Sequence, residues 1–246
     1  MKAEGGKTVF GAGIGILMLE ASFPRVPGDM GNGLTWPFPV QYRVVANASP
    51  DRVVRQRGEG LLPAFIAAGQ DLVRHGADGI TTNCGFLSLF QQPLADALGV
   101  PVLTSSLMQV PLVQRMLPKG QRVGILTISR ATLTQAHLVA AGVDPETPME
   151  GTEAGREFTR AILGNSSALD VDAAAQDNVE AAQRLVARHP SIGAIVLECT
   201  NMIPYAADIR RATGRPVFSI YNLVTWFQAS LLPRRFDMRL DDPRHP

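Results

Sequence analysis

The only two cysteines of this 246-residue chain occupy equivalent places in its two halves. Each cysteine ends an apolar, β-branched run, and each lies 17 positions before a Pro-Val pair, at Pro101 and at Pro216. A glycine precedes both of those prolines at the same offset. This repetition predicts a duplicated α/β unit that carries one thiol per copy, Cys84 in the first and Cys199 in the second.

Short apolar runs bounded by Gly, Pro or Asn predict strands, and the amphipathic stretches between them predict helices. Strands that alternate with helices favour parallel sheets with crossover connections. The predicted strands are Val9–Leu19, Val40–Val45, Gly79–Asn83, Pro101–Thr104, Arg122–Thr127, Thr147–Gly151, Ala194–Glu198 and Pro216–Ile220. The main predicted helices are Gln56–His75, Phe86–Leu98, Asp172–His189 and Met202–Thr213.

The second copy is predicted to begin near Arg122, because the run Val123–Leu126 repeats the pattern of Ile14–Leu17. We predict a first domain that combines residues 1–118 with residues 217–246 and carries Cys84. Residues 119–216 are predicted to form a second domain that carries Cys199. In this division the last helix of the chain crosses back to pack on the first domain.

Composition excludes several classes of partner and cofactor. The formal net charge is +1 and 18% of the residues are charged, so no nucleic-acid or anionic membrane partner is expected. The sequence has neither a signal-peptide pattern nor a membrane-spanning segment, which predicts a cytoplasmic protein with free thiols. No lysine is well placed to bind pyridoxal phosphate, and the four histidines lack metal-ligand spacing. We therefore expect neither a cofactor nor a metal.

Two thiols at strand ends suit proton transfer at the α-carbon of a carboxylate. Racemisation needs a base on one face of the carbon and an acid on the other, and two identical groups meet that need. Each sulfur would lie roughly 3–3.5 Å from the carbon, which leaves the two sulfurs too far apart to bond. Helices after Cys84 and Cys199 would favour both thiolates and the substrate carboxylate. The alternative is that both residues are buried core cysteines. Glu198 directly precedes Cys199, and because strand neighbours point to opposite faces, we favour a structural role for it over that of a third acid/base.

A loop over residues 22–39 follows the first predicted strand and holds four prolines and three glycines. A loop of this length is usually functional or disordered, and its aromatic residues favour an ordered loop over the strand ends. Arg25 could bind a carboxylate, or it could be a solvated loop residue. Asp29 could orient an amine, although Pro-Gly-Asp is itself a turn signal.

The chain resembles the aspartate/glutamate racemase superfamily over nearly its whole length. Two motifs carry the resemblance, Thr82-Asn83-Cys84-Gly85 in the first half and Glu198-Cys199-Thr200-Asn201-Met202 in the second. The resemblance implies an α/β fold of two pseudo-symmetric Rossmann-like (flavodoxin-like) domains with parallel sheets and the active site in the cleft between them. It also implies one cysteine per domain and no pyridoxal phosphate or metal.

The resemblance further implies that Cys84 and Cys199 are the acid/base pair and that the partner is a small-molecule carboxylate or amino-acid-derived substrate. Asn83 and Thr200 would bind the carboxylate, and the segment Thr127–Ser129 would add a hydroxyl. The full set of substrate-binding residues predicted is Arg25, Asn83, Gly85, Phe86, Thr127, Ser129, Thr200 and Asn201.

The motifs also depart from the best-known members. Aspartate and glutamate racemases usually carry Cys-Asn-Thr at the first site and glutamate racemases Cys-Thr-His at the second, whereas this chain has Cys84-Gly85-Phe86 and Cys199-Thr200-Asn201.

We predict a cofactor-independent racemase or epimerase of an aspartate-like or hydantoin-like compound. The alternatives are a cysteine-dependent isomerase (maleate isomerase-like) or decarboxylase of the same fold, and a non-catalytic binding protein. A homodimer is the default expectation.

Overall fold

In a computed structural model that describes residues 2–236, the chain forms two four-stranded parallel sheets. The strands are β1 Ile14–Leu19, β2 Val40–Val45, β3 Gly79–Thr82, β4 Val102–Leu103, β5 Arg122–Thr127, β6 Met149–Gly151, β7 Ile192–Leu197 and β8 Val217–Phe218. The first sheet has the order β2-β1-β3-β4 and the second the order β6-β5-β7-β8. The two orders are equivalent, so the predicted α/β fold with two parallel sheets is confirmed.

Nine α-helices connect these strands within the described residues. They are α1 Pro50–Val54, α2 Leu62–Arg74, α3 Gln91–Leu98, α4 Val110–Met116, α5 Gln135–Ala140, α6 Phe158–Leu163, α7 Val171–Arg188, α8 Ala206–Thr213 and α9 Ile220–Leu231. Short 3₁₀ helices occupy Gly85–Phe90, Ser106–Gln109 and Thr200–Tyr205. The helix predicted after each cysteine therefore begins as a 3₁₀ helix and continues as α3 or α8. From residue 2 to residue 236, no helix is long and apolar enough to cross a bilayer.

The central strands β1 and β7 are buried along their whole length, as their continuous apolar sequences indicate. Helix α9 covers one face of the first sheet, because its residues Ile220, Val224 and Phe227 share a cluster with Ile14 and Ile16. This is the crossing back that the sequence predicted for the last helix.

The predicted division into domains differs from the sheet pairing at one point. Val217 and Phe218 pair with β7 and so extend the second sheet, although the prediction assigned them to the first domain. The difference arises because the chain completes its second sheet before it turns back as α9. The division itself stays a prediction, and residues 237–246 lie outside the described part of the chain.

The carboxyl ends of the two sheets meet through hydrogen bonds between the halves of the chain. The Thr200 hydroxyl donates to the Asn83 carbonyl at 2.6 Å. The Ser106 hydroxyl donates to the Glu198 carbonyl at 3.3 Å. Because Asn83 and Thr200 are neighbours of the two cysteines, these bonds bring the two cysteine turns into contact.

Candidate active site

Each cysteine follows a central strand and begins a 3₁₀ helix. Cys84 has φ −148° and ψ 120°, and Cys199 has φ −75° and ψ 126°, so both stand in extended backbone just before a turn. The carbonyl of Cys84 accepts from the Leu87 amide at 3.1 Å, and the carbonyl of Cys199 accepts from the Met202 amide at 3.1 Å. The two turns are thus built alike, and both thiols are free and buried.

A small cavity lies where these turns meet. Its wall includes both cysteines and six other residues of the predicted site, namely Arg25, Asn83, Gly85, Phe86, Thr200 and Asn201. Seven further wall residues are apolar, namely Leu19, Phe23, Pro50, Val54, Ile128, Ile162 and Leu163. Within residues 2–236, no group of three or more His, Cys, Asp or Glu side chains could hold a metal ion.

Two predicted site residues, Thr127 and Ser129, lie outside this wall. The Thr127 hydroxyl donates to Oε2 of Glu198 at 2.7 Å, and it accepts from the Ser129 amide at 3.4 Å. The predicted hydroxyl therefore reaches the cavity only through Glu198, and Ser129 supports Thr127 through its backbone.

The absence of a side chain at Gly85 allows the two turns to cross closely. A Cβ atom on Gly85 would lie 2.5 Å from the Glu198 carbonyl oxygen and would also collide with Oε1 of Glu198. One of these obstacles is backbone, so a rotation of the Glu198 side chain could not remove the clash. Aspartate and glutamate racemases usually have asparagine directly after the first cysteine. In this chain that position is Gly85, which lies against Glu198, the residue before Cys199.

Replacement of Gly85 by alanine is expected to lower the free energy of unfolding by about 1–3 kcal/mol, because the turns must move apart. The control is Gly33→Ala, since a Cβ at Gly33 meets nothing within 4 Å. Urea unfolding of both variants measures the effect. Equal stability of the two variants would contradict the crossing of the turns.

Asp29 connects the loop over residues 22–39 to Cys199. Its Oδ1 accepts from Arg25 at 3.0 Å and from the Gly31 amide at 2.7 Å, and its Oδ2 accepts from Asn201 Nδ2 at 2.6 Å. Because a carboxylate only accepts, this contact turns Oδ1 of Asn201 toward Cys199, whose Sγ donates to it at 3.5 Å. Asp29 therefore both forms the predicted turn and fixes a side chain beside the thiol.

Glu198 is the second residue whose place in the site the local sequence did not indicate. It is fully buried and contributes to the cavity wall. Its Oε2 is bonded to Thr127, whereas its Oε1 has no hydrogen-bond partner among the described residues. The prediction of a purely structural role assumed strand alternation, but β7 ends at Leu197, and alternation does not continue beyond the strand.

The pKa values of the three buried acids are raised. Burial, followed by the nearby Glu198, raises the pKa of Cys84 to about 12, against smaller opposing effects of the Phe86 and Leu87 amides and of Arg25. Burial and Glu198 also raise the pKa of Cys199 well above its usual range. Burial raises the pKa of Glu198 to about 7. The amides after each cysteine favour the thiolate, as predicted, but burial and Glu198 outweigh them, so the pKa of each thiol is raised.

No protein-family model matches the chain. The chain is similar to a dimethylsulfoniopropionate lyase of Durusdinium sp. clade D, with 28% identity over 218 residues that cover 84% of this chain and 71% of that protein. It is also similar to dimethylsulfoniopropionate lyase 3 of Emiliania huxleyi, with 30% identity over 89% of this chain. The match spans only 60% of the length of that second relative.

Solved structures resemble the chain in fold. A glycine-to-cysteine mutant of arylmalonate decarboxylase with associated sulfate has a TM-score of 0.63 at 18% identity, covering 92% of this chain and 96% of its own. Allantoin racemase from Pseudomonas fluorescens has a TM-score of 0.55 at 16% identity, covering 92% of this chain and 100% of its own. Glutamate racemase from Francisella tularensis, in complex with D-glutamate, has a TM-score of 0.53 at 13% identity over 92% of this chain and 85% of its own. The chain therefore shares its fold with arylmalonate decarboxylase and with these two racemases, as the resemblance implied.

Proposed function

We propose that this protein is a cysteine-dependent lyase that removes the α-proton of dimethylsulfoniopropionate and releases dimethyl sulfide. The observation that carries the proposal is the pair of buried thiols on one small cavity, with Arg25 and Glu198 in the same wall. The sequence similarity to two dimethylsulfoniopropionate lyases favours this substrate over an amino acid.

The reaction needs one base and one leaving group. The positive charge of the bound sulfonium makes a neighbouring thiol easier to ionise. The resulting thiolate takes a proton from the α-carbon, and the electron pair of that C–H bond forms the double bond between the α- and β-carbons. The bond from the β-carbon to the sulfonium sulfur breaks, and the sulfur keeps that electron pair. The products are acrylate and neutral dimethyl sulfide, and the proton remains on the thiol until it is released to solvent.

Arg25 and Asn83 are suited to hold the substrate carboxylate. The Arg25 guanidinium uses only one nitrogen, Nη1, to bind Asp29 at 3.0 Å, and its other nitrogens bond to nothing else in residues 2–236. Asn83 uses Oδ1 to accept from the Leu19 amide at 2.7 Å, which leaves its Nδ2 group for a ligand. A carboxylate bound between them would gain charge-assisted hydrogen bonds inside a buried site.

The two thiols have unequal surroundings, which suits an elimination better than a racemisation. Cys199 donates to Asn201, and Asp29 holds that amide in place. Cys84 donates to no side chain among the described residues, and the charge of Arg25 lowers its pKa against the effect of burial. An elimination needs one thiol as the base and the other only as a hydrogen-bond donor, whereas a racemase needs two interchangeable groups.

The direct test is incubation of the purified protein with dimethylsulfoniopropionate, followed by gas chromatography of dimethyl sulfide and NMR of acrylate. Equal amounts of the two products are expected, with a rate at least about 10²-fold lower from the double variant Cys84→Ser/Cys199→Ser. Absence of both products, while an unreactive analogue such as 3-(trimethylammonio)propionate still binds, would contradict the lyase proposal.

An amino-acid or hydantoin racemase is the second candidate. The matching positions of the two cysteines and the fold shared with allantoin racemase favour it. Incubation in deuterium oxide with aspartate and with 5-substituted hydantoins tests it by chiral chromatography and by loss of the α-proton signal. Racemisation without any cleavage of dimethylsulfoniopropionate would favour this candidate over the lyase.

A cytoplasmic location and a homodimer are also proposals. Cell fractionation tests the first, and light scattering after size-exclusion chromatography tests the second.

A further inference from the structure

We propose that Glu198 makes the cavity selective for carboxylic acids that carry a permanent cation, a sulfonium or a quaternary ammonium, on the β-carbon. The inference deepens the proposed function and rests on it, because it names the residue that would recognise the leaving group. Its test uses binding alone, so it can fail or hold independently of turnover.

One carboxyl oxygen of Glu198 is buried without a hydrogen bond to the described residues. Thr127 on β5 fixes the carboxyl group through Oε2 at 2.7 Å, while Oε1 is fully buried at the Cys84–Gly85 turn. Oε1 has no hydrogen bond in the part of the chain that the structure describes, although the Ile128 amide, like the Thr127 hydroxyl, favours the ionised form of the carboxyl group. A buried polar atom without a partner lowers stability unless a bound molecule satisfies it.

The charged and titratable groups that face Glu198 do not neutralise the negative charge of its carboxylate. The two thiols are neighbouring acids, Cys84 on the opposite turn and Cys199 directly after it in the chain, and each is harder to ionise because of Glu198. The loop contributes Arg25 and Asp29, which form an ion pair with each other at 3.0 Å. A permanent cation in the cavity would supply the countercharge that the described residues do not offer to Glu198.

The apolar part of the wall decides which cations fit. Ile128, Ile162 and Leu163 offer hydrophobic contacts and no side-chain hydrogen-bond acceptors. A primary ammonium has three N–H groups that need acceptors, and burial of unsatisfied donors is unfavourable. The methyl groups of a sulfonium or a quaternary ammonium need no acceptors and gain from apolar burial. Selection against ordinary amino acids follows from this difference.

Binding of such a cation should release a proton. Because burial raises the pKa of Glu198 to about 7, part of the protein carries a protonated Glu198 at neutral pH. A cation that binds beside the carboxyl group favours its ionised form and lowers the pKa. An uncharged ligand of the same shape has no such effect.

The experiment compares two ligands of nearly equal shape, 3-(trimethylammonio)propionate and 4,4-dimethylpentanoate, which differ in one quaternary nitrogen or carbon. Isothermal titration calorimetry near neutral pH, in buffers of different ionisation enthalpy, gives the affinity and the number of protons released. In the wild type we expect the ammonium acid to bind at least about tenfold more tightly and to release protons. The carbon isostere is expected to release none.

Three variants identify the source of the selectivity. Glu198→Gln keeps the shape of the side chain and is expected to abolish both the preference and the proton release. Cys84→Ser and Cys199→Ser are expected to retain the release, because it comes from the carboxyl group and not from a thiol. Preference and release that persist in Glu198→Gln would overturn the proposal, as would equal binding of the two ligands to the wild type.

A fourth variant keeps the proposal testable if Glu198→Gln fails to fold. Thr127→Val retains Glu198 but removes the hydrogen bond that favours its ionised form. More of the protein then starts protonated, so the ammonium acid should release more protons than in the wild type at the same pH. An unchanged or smaller release would overturn the proposal. Cleavage of dimethylsulfoniopropionate with no preference for the ammonium acid would defeat this inference alone.

Discussion

Serine in place of the thiol that acts as the base is expected to lower kcat/KM for cleavage of dimethylsulfoniopropionate by about 10²–10⁴-fold. A serine hydroxyl in this buried cavity remains protonated, so it cannot take the α-proton. Cys84→Ser and Cys199→Ser are compared with the wild type by the rate of dimethyl sulfide release. The variant with the greater loss identifies the base.

The double variant is the control for a shared role. If both thiols are needed for the same step, either single substitution already abolishes the contribution of the pair. The double variant should then be no slower than the slower single variant. Circular dichroism and thermal melting show whether each variant is folded. Retention of near wild-type rates in both folded single variants would contradict the assignment of the cysteines.

Replacement of Asp29 by asparagine is expected to lower both stability and activity. The new amide has a single oxygen, so it cannot accept from Arg25 and from Asn201 at the same time, and it lacks the charge that holds Arg25. Loss of these charge-assisted bonds at a residue only 3% exposed should lower the free energy of unfolding by about 1–3 kcal/mol. Because Asn201 can then turn away from Cys199, kcat/KM should fall by about 10²-fold.

The matched control is Asp51→Asn, the same substitution in an ion pair with Arg55 whose two side chains are 41% and 56% exposed. An exposed pair of this kind contributes little, so both stability and activity should stay near those of the wild type. Urea unfolding and the dimethyl sulfide assay measure the two effects. If Asp29→Asn behaves like Asp51→Asn, the network from Arg25 through Asp29 to Asn201 has no role in the site.

The repeated spacing around Cys84 and Cys199 was enough to predict the fold class and the place of both thiols. Strand predictions were accurate where the strand is long and central, as for Arg122–Thr127, which the structure reproduces as β5. The predicted strand Val9–Leu19 was too long, because regular pairing starts only at Ile14. Helices α1, α4, α5 and α6 were not predicted, since each has at most seven residues and is too short for a helical period to show.

The contacts that complete the candidate site could not be predicted from local sequence. Asn201 and Asp29 are 172 positions apart in the chain. The motif Pro-Gly-Asp predicted a turn at Asp29 but not its hydrogen bond to Asn201. Glu198 was assigned by strand alternation, which ends one residue before it. Thr127 is predicted to contribute a hydroxyl to the site, and the sequence did not indicate that this hydroxyl donates to Glu198. Each of these outcomes depends on how the two halves of the chain meet.

The measurement that tests the central claim most directly uses dimethylsulfoniopropionate with both α-hydrogens replaced by deuterium. If a thiol removes an α-proton during elimination, the acrylate produced must carry one deuterium at its α-carbon, and kcat/KM must be lower than with the unlabelled substrate. NMR and mass spectrometry of the product measure both quantities. A product that keeps both deuterium atoms, such as 3-hydroxypropionate formed by substitution at the β-carbon, would contradict proton abstraction by the cysteine pair.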